Sequence, residues 1–268
     1  MRTTCWKRRS IPIKALITTT CPSDMKKLEV RNVSKSFEGK PVLQDISIEL
    51  GQGELVCLLG VSGGGKTTLF NVISGLLQPD TGHIFLDGEE ITNKPGQISY
   101  MLQKDLLLPY RTIEDNVALP LLLKGMGKKE ARQHVSPLFE QFGLEGTQKQ
   151  FPSQLSGGMR QRAALLRTYL FSQNVALLDE PFSALDTLTK SAIHKWYLDI
   201  MEKIHLSTLF ITHDIDEAIL LSDRIYLLSG APGRIVEEIV IQEAKPRRGD
   251  FNLTAEFLEY KSRILQLL

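Results

Sequence analysis

Residues 60–68 of the sequence, GVSGGGKTT, form a glycine-rich segment that ends in a lysine and two threonines. Glycines let consecutive backbone N–H groups point inward around phosphate oxygens, and the lysine adds positive charge for the β- and γ-phosphates. A threonine hydroxyl beside that lysine is a ligand for Mg²⁺. The segment therefore predicts a site for a nucleoside triphosphate. The candidate binding residues are Gly60, Val61, Ser62, Gly63, Gly64, Gly65, Lys66, Thr67 and Thr68.

A second segment, VALLDEP at residues 175–181, ends an apolar run with two acids. Ligands of open α/β sheets bind at the carboxyl ends of the strands, so a strand here would carry Asp179 and Glu180 to the phosphate site. We predict that Asp179 holds Mg²⁺ through water and that Glu180 polarises the attacking water as a general base. Alone, this pattern would fit a surface turn equally well. Beside a phosphate loop it indicates nucleotide hydrolysis.

A third segment, LSGGMRQRAALLRTYL at residues 155–170, places a serine and two glycines before an arginine-rich helix. Free N–H groups and the positive end of the helix dipole favour an anion at such a position. The chain therefore has two candidate phosphate sites. TNKPG at residues 92–96 begins like the guanine-reading pattern of GTPases, but Gly96 stands where an aspartate is required, and a turn is predicted there.

Taken together, these segments resemble the ABC-type ATPases over nearly all of residues 27–230, with the motifs in the family's order. Gln103 in SYMLQKDLLLP is similar to the glutamine loop, and Asp186 in SALD to the D-loop. His213 in FITHD is similar to the switch histidine, and Phe37 to the aromatic residue that stacks on adenine. The resemblance implies ATP and Mg²⁺ as cofactors and Gln103 as a further metal ligand. The catalytic residues it implies are Lys66, Gln103, Glu180 and His213.

The resemblance also explains the second phosphate site. ABC ATPases pair head to tail, and each ATP lies between the phosphate loop of one chain and the signature segment of the other. Ser156, Gly157 and Gly158 are therefore expected to bind the nucleotide of the partner chain. The sequence departs from the common family pattern at Gly64, where serine is usual, and at Met159, where glutamine is usual. Neither change removes a charged or metal-binding group.

The elements that must carry these residues predict an α/β fold. Short apolar runs followed at once by polar residues, as in LVCLLG, VALLD and STLFIT, are typical of buried parallel strands. The expected architecture is a P-loop NTPase (RecA-like) core with an antiparallel β subdomain and an inserted α-helical signature subdomain at about 104–170. A terminal helix is expected at about 254–268. Residues 25–268 would form one ABC ATPase domain, and the basic residues 1–24 a disordered extension.

The net charge and the lengths of the apolar runs limit the kinds of partner that the chain could bind. The formal net charge of +1 over 268 residues argues against a nucleic-acid partner. The apolar runs are far shorter than the roughly 20 residues that span a bilayer, so transport would need a separate permease. We expect the chain to be peripheral at the cytoplasmic face of the membrane, with a second ATPase subunit in a homodimer. A solute-binding protein would be an indirect partner.

Two functions are weighed from the sequence. The first is the motor subunit of an importer, and several segments resemble the nitrate, sulfonate and taurine type. The alternative is a soluble ABC ATPase that acts on DNA or ribosomes, a class that carries a long coiled-coil insert or a second ATPase domain. Residues 106–110, LLLPY, are expected to line a groove for a permease helix.

Overall fold

The computed structural model describes residues 26–172, 174–183, 187–245, 247 and 250–268, with only the backbone for 187–189. The predicted extension, residues 1–24, and Asp186 of the D-loop segment lie outside the described residues. The strands are β1 (Lys26–Phe37), β2 (Lys40–Gly51), β3 (Leu55–Gly60), β4 (Thr81–Leu86), β5 (Glu89–Glu90), β6 (Ser99–Met101), β7 (Val175–Asp179), β8 (Ser207–Thr212), β9 (Arg224–Ser229) and β10 (Arg234–Val240). The helices are α1 (Lys66–Ile73), α2 (Ile113–Val117), α3 (Leu119–Leu123), α4 (Lys128–Gln141), α5 (Gly157–Phe171), α6 (Thr187–Ile204), α7 (Ile215–Leu221) and α8 (Ala255–Leu267).

Within the described residues, the strands form two sheets. The larger has the order β10-β9-β3-β8-β7-β6, parallel except for the β10–β9 pair, and the smaller is antiparallel in the order β2-β1-β4-β5. Between β6 and β7 the chain forms α2–α5. The predicted fold class, an α/β P-loop core with an antiparallel β subdomain and inserted helices, is confirmed.

The larger sheet is buried on both faces. Alternate residues of β3 point to opposite sides, so Cys57 and Leu59 join the core beneath α5–α8, whereas Val56 and Leu58 join the core beneath α1 and the smaller sheet. This burial explains the continuously apolar sequence of β3, β7 and β8. Two packed faces fix the positions of the strand ends, which carry the site.

The helix after the phosphate loop is shorter than its sequence predicts. The apolar positions Leu69, Val72, Ile73 and Leu76 in KTTLFNVISGLL have helical spacing and predict a helix that reaches Leu76. In the structure, α1 ends at Ile73 and Leu76 is exposed. Gly75 adopts a φ of +75°, and the Leu76 N–H donates to the Asn71 carbonyl at 2.9 Å, which closes the helix.

Other elements also differ from the sequence prediction. The predicted helix IEDNVALPLLLKG is divided into α2 and α3, because Pro120 lacks the N–H that would continue α2. β6, α6 and α7 were not predicted, since β6 has three residues and the helices follow the acidic and histidine motifs directly. Among the described residues, no helix is long and apolar enough to cross a membrane.

Candidate functional site

The predicted nucleotide-binding and catalytic segments meet at the carboxyl edge of the larger sheet. β3, β8 and β7 are neighbours and end at the phosphate loop, His213 and Glu180 respectively, while β6 leads to Gln103. An open cavity of about 390 Å³ lies at this edge. It is lined by Val42, Ser62, Gly63, Gly65, Lys66, Thr67, Thr68, Gln103, Asp179, Glu180 and His213.

The phosphate loop is held by its own lysine. Lys66 is only 6% exposed, and its Nζ donates to the carbonyl oxygens of Gly60 and Val61, both at 2.8 Å. Burial lowers the pKa of Lys66, although Glu180 and Asp179 oppose that shift. Gly60 is required for the packing beneath the loop, because a Cβ there would lie 2.3 Å from the Leu228 carbonyl oxygen. The loop is thus fixed against β9 with its lysine inside.

Two oxygen ligands predicted for Mg²⁺ lie side by side in this cavity. The Thr67 hydroxyl donates to Asp179 Oδ2 at 3.1 Å. Asp179 is 6% exposed, and burial raises the pKa of its carboxyl, an effect that the Thr67 hydrogen bond opposes and the neighbouring Glu180 charge reinforces. The cavity contains two carboxylates, Asp179 and Glu180, and one ammonium group, Lys66. A bound cation would therefore balance the excess negative charge of the cavity.

Glu180 is held by two predicted catalytic residues. Its Oε1 lies 3.0 Å from His213 Nδ1, and its Oε2 accepts from Gln103 Nε2, also at 3.0 Å. The backbone of Glu180 has a φ of +46°, an uncommon value for a residue with a side chain. Its N–H donates to the Ile211 carbonyl of β8 at 3.0 Å, which continues the β7–β8 pairing by one residue. The chain turns directly afterwards, where the Ser183 N–H donates to the Glu180 carbonyl at 3.2 Å. The Glu180 side chain lines the cavity from the start of this turn.

The signature residues Ser156, Gly157 and Gly158 stand at the start of α5 and not at the phosphate-loop cavity. Ser156 is the N-cap of α5, and its hydroxyl accepts from the Met159 N–H at 3.3 Å. Ser156 is exposed, Gly157 half-buried and Gly158 buried, and the lining of the phosphate-loop cavity contains none of the three in the described part of the chain. The structure therefore does not bring the signature segment into the cavity of its own chain.

Some predicted nucleotide-binding residues stand beside the cavity. Phe37, at the end of β1, is 44% exposed with the Lys35 ammonium 5.6 Å from its ring centroid. Gly60, Val61 and Gly64 belong to the loop but are not among the described lining residues. Val42 of β2 lines the cavity and was missed, since nothing in a strand sequence marks one valine as facing a ligand.

The sequence pattern predicts that Arg160, Arg162 and Arg167 form a solvated, partly paired face of their helix rather than a nucleic-acid patch. Arg160 is paired with Asp105, but the other two arginines are not simply solvated. Arg167 donates to the carbonyls of Asp105 at 2.5 Å and Leu106 at 2.9 Å, and burial lowers its pKa. Arg162 lies 4.6 Å over the Trp196 ring, and burial lowers its pKa as well. α5 is packed on most of its surface, so its cations reach outward to bind backbone carbonyls.

A second cavity, of about 320 Å³, lies where α1, α3 and α5 meet. Its lining includes Leu76 and Leu123, which are 66% and 76% exposed. We call it the apolar groove; its lining residues are Ser74, Leu76, Gly96, Ile98, Tyr100, Leu119, Pro120, Leu123, Arg167, Thr168 and Phe171. Residues 106–110, predicted to line such a groove, are not part of this described lining.

Buried Asn116 fixes the segment 108–112 beside the glutamine loop. Its Nδ2 donates to the carbonyls of Leu108 and Arg111 at 3.1 Å and of Thr112 at 3.0 Å, and its Oδ1 accepts from the Leu108 N–H at 2.6 Å. Leu107 is buried, whereas Tyr110 is 93% exposed. The segment is therefore an ordered loop whose apolar residues are divided between core and solvent.

Comparisons with known proteins agree on one family. The sequence model described as "ABC transporter" matches residues 43–183. The formylaminopyrimidine import ATP-binding protein ThiZ of Halalkalibacterium halodurans is 47% identical over 192 residues, which cover 72% of this chain and 75% of that protein. The nitrate import ATP-binding protein NrtD of Synechocystis sp. is 36% identical over 251 residues, or 90% of this chain and 94% of that one. The dimeric ATP-binding cassette MJ0796 in a post-hydrolysis state with ADP and Pi matches with a TM-score of 0.67 and 28% identity, over 81% of this chain and 100% of that chain.

Proposed function

The chain belongs to the ABC transporter family, and from that membership we propose that it is the ATP-binding and ATP-hydrolysing motor subunit of an importer whose permease is a separate chain. The observation that carries the proposal is the cavity in which the phosphate loop meets Asp179, Glu180, Gln103 and His213. Relatives named for formylaminopyrimidine and nitrate import support an importer. The comparisons do not favour a soluble ATPase that acts on DNA or ribosomes.

ATP would bind with its phosphates in the loop at residues 60–68. The backbone N–H groups at the start of α1 face the phosphates, and the Lys66 ammonium, now bonded to two loop carbonyls, is placed to turn to the β- and γ-phosphates. Phosphate binding would strengthen the hydrogen bonds of Lys66 considerably, because a buried cation that now bonds only neutral carbonyls would acquire an anionic partner. Phe37 is exposed at the end of β1, where it would stack on adenine.

The donor set of the cavity fits Mg²⁺. The Thr67 hydroxyl and the Asp179 carboxylate are adjacent oxygen donors, and Mg²⁺ in nucleotide sites takes few protein ligands besides phosphates and waters. The Gln103 amide would supply a further oxygen. When bound, Mg²⁺ would neutralise negative charge on the phosphate oxygens.

Glu180 would act as the general base. Its carboxylate takes a proton from the water that attacks the γ-phosphorus, and ADP leaves on the opposite side. His213 and Gln103 each bond one oxygen of this carboxylate and so fix its direction before ATP binds. The preset geometry lowers the cost of orienting the base.

A second ATPase subunit would complete each site. Ser156, Gly157 and Gly158 stand at the start of a 15-residue helix and outside their own cavity, as a site that serves the partner chain requires. The solved cassette with ADP and Pi is dimeric, which supports pairing.

The permease would dock at the apolar groove. Exposed leucines around a groove between α1, α3 and α5 suit a short amphipathic helix, a recurring mode of recognition in which a few apolar anchors carry most of the energy. The chain would then be peripheral at the cytoplasmic face of the membrane. A solute-binding protein on the other side would deliver the solute, for which nitrate, sulfonates, taurine and thiamine-precursor pyrimidines are the candidate classes.

The Glu180→Gln variant tests the catalytic assignment. We expect it to bind ATP with normal affinity but to hydrolyse it about 10²- to 10⁴-fold more slowly, because the general base is lost. It should also accumulate as an ATP-bound dimer in size-exclusion chromatography. Lys66→Ala should instead lose affinity for ATP itself. Near-normal turnover by Glu180→Gln would show that another group takes the proton.

Two further experiments test the partners. Ser156→Arg should bind ATP as an isolated chain but not turn it over, and mixing it with Lys66→Ala should assemble one intact site. Loss of ATP binding by isolated Ser156→Arg would contradict a role in trans. Leu123→Asp should abolish co-purification with the permease, whereas Leu253→Asp, equally exposed but outside the groove, should not.

A further inference from the structure

Glu217 of α7 is a buried carboxylate without a role in the proposed chemistry. It is 4% exposed. Its Oε1 accepts from Lys190 Nζ at 2.8 Å, and its Oε2 accepts from the Thr212 hydroxyl at 2.7 Å. Burial raises the pKa of this carboxyl, but the neighbouring His194, Lys190 and Thr212 outweigh burial and lower it to about 2. Glu217 is therefore an ionised acceptor in the interior.

On one side, Glu217 is linked to His213 through the Thr212 hydroxyl. Thr212 is the last residue of β8, and its hydroxyl both donates to Glu217 and accepts from the Asp214 N–H at 3.0 Å. The two contacts clamp the backbone on either side of His213. Asp214 in turn caps α7 by accepting from the N–H groups of Asp216 and Glu217. The turn that carries His213 is thus bonded to the helix that carries Glu217.

On the other side, Glu217 is linked through His194 and Phe182 to the turn that carries Glu180. His194 Nε2 lies 3.5 Å from Glu217 Oε1, and its ring meets Phe182 edge-on with centroids 4.7 Å apart. Phe182 is buried and follows Glu180 by two residues. Glu217 is consequently linked to His213 through Thr212, and to the turn that carries Glu180 through His194 and Phe182.

We propose that Glu217 is a positioning residue that holds His213 and Glu180 at hydrogen-bonding distance from behind the site. This inference rests on the proposed function, because it assumes that this pair acts in hydrolysis. Glu217 itself does not touch the nucleotide. Its charge fixes the Thr212 hydroxyl, and loss of that contact would let the His213 turn shift by a fraction of an ångström without disturbing the phosphate loop.

Thr212→Val against Thr212→Ser is the sharpest pair of variants. Valine keeps the shape of threonine but removes the hydroxyl, whereas serine keeps the hydroxyl. We expect Thr212→Val in the full chain to lower kcat about 10- to 100-fold, the range typical of residues that orient ligating or reacting groups, with KM and Kd for ATP unchanged. Thr212→Ser should stay near the wild-type rate. Glu217→Gln should behave like Thr212→Val.

A readout independent of turnover is the set of NMR chemical shifts of the His213 ring, assigned with His213→Ala. These shifts should change in Thr212→Val and Glu217→Gln but not in Thr212→Ser. Glu54→Gln is the matched control, since Glu54 also pairs with a half-buried cation, Arg224 at 2.9 Å, but at the amino end of β3. Glu54→Gln should lose stability while keeping kcat and the chemical shifts of the His213 ring.

The outcomes separate this inference from the proposed function. Normal kcat or unchanged chemical shifts of the His213 ring in Thr212→Val would overturn the role of Glu217, as would a parallel loss of ATP affinity. If Glu180→Gln and His213→Ala themselves hydrolyse ATP normally, the catalytic assignment fails instead. If those two are inactive while Thr212→Val is normal, only the positioning role fails.

Discussion

Replacing Asn116 should open the loop beside the glutamine segment. Asn116→Ala removes the two N–H donors that are shared among the carbonyls of Leu108, Arg111 and Thr112, and the acceptor of the Leu108 N–H. Each such bond contributes about 1 kcal/mol net, so losing the equivalent of two donor bonds and one acceptor bond would cost about 3 kcal/mol if the loop stayed closed. Leu108 and Tyr110 are exposed, however, and the freed groups can bind water once the loop opens.

We therefore expect a loss of about 2 kcal/mol in the free energy of unfolding, with the remainder relieved by local opening. Urea denaturation measures the free energy of unfolding, and hydrogen–deuterium exchange of residues 107–113 measures the local opening of the loop. Asn116→Asp is a second test, because it keeps the acceptor for the Leu108 N–H but sets a carboxylate against three carbonyls. It should be at least as destabilised as Asn116→Ala.

The control is Gln133→Ala on the exposed side of α4, which should change stability by less than about 0.5 kcal/mol. Unchanged exchange at 107–113 in Asn116→Ala, together with unaltered urea stability, would refute the assignment of Asn116 as the residue that organises this loop.

Two other perturbations should change the stability of the fold in a direction that the structure predicts. Acidification should destabilise the fold through Glu217, whose pKa of about 2 in the folded chain lies below its ordinary value of 4.5. The contribution of Glu217 to stability, about 3 kcal/mol at 1.4 kcal/mol per pH unit, is complete above that ordinary value and is lost as the pH falls through the folded pKa. Glu217→Gln should therefore show a smaller acid-induced loss of stability in urea titrations. Gly75→Ala should cost more stability than Gly125→Ala: both have positive φ, but a Cβ at Gly75 would lie 2.6 Å from the Lys94 carbonyl carbon, whereas one at Gly125 meets nothing within 4 Å. Equal melting temperatures for the two glycine variants would contradict the clash.

The contiguous parts of the site could be predicted from the sequence. The phosphate loop is nine successive residues between a strand and a helix, so its local pattern suffices. Asp179 and Glu180 follow an apolar strand, and the rule that ligands gather at the carboxyl ends of parallel strands placed them at the loop. Gln103 and His213 were identified by resemblance to the family rather than by their own chemistry, because a single polar residue after a strand carries little information.

The helical insert shows the limit of local patterns. Apolar spacing predicted helices between 104 and 170, and helices are present there, but the same spacing extended α1 past Gly75 and joined α2 to α3. The arginines of α5 looked like a solvated face because the sequence does not show that the carbonyls of Asp105 and Leu106 lie within reach. Periodicity identifies a helix but not what covers each of its sides.

What the sequence alone determined was therefore the phosphate loop, the acidic strand end, the fold class and the family. These depend on neighbours in the chain and on strand order, which short-range patterns encode. Tertiary structure alone decided that Val42 faces the cavity, that Glu180 is bonded by both Gln103 and His213, and that Glu217 lies behind them. Glu180 and Gln103 are 77 positions apart in the chain. Such contacts form only when two-sided packing of the larger sheet fixes where each strand ends, and no local propensity specifies that distance.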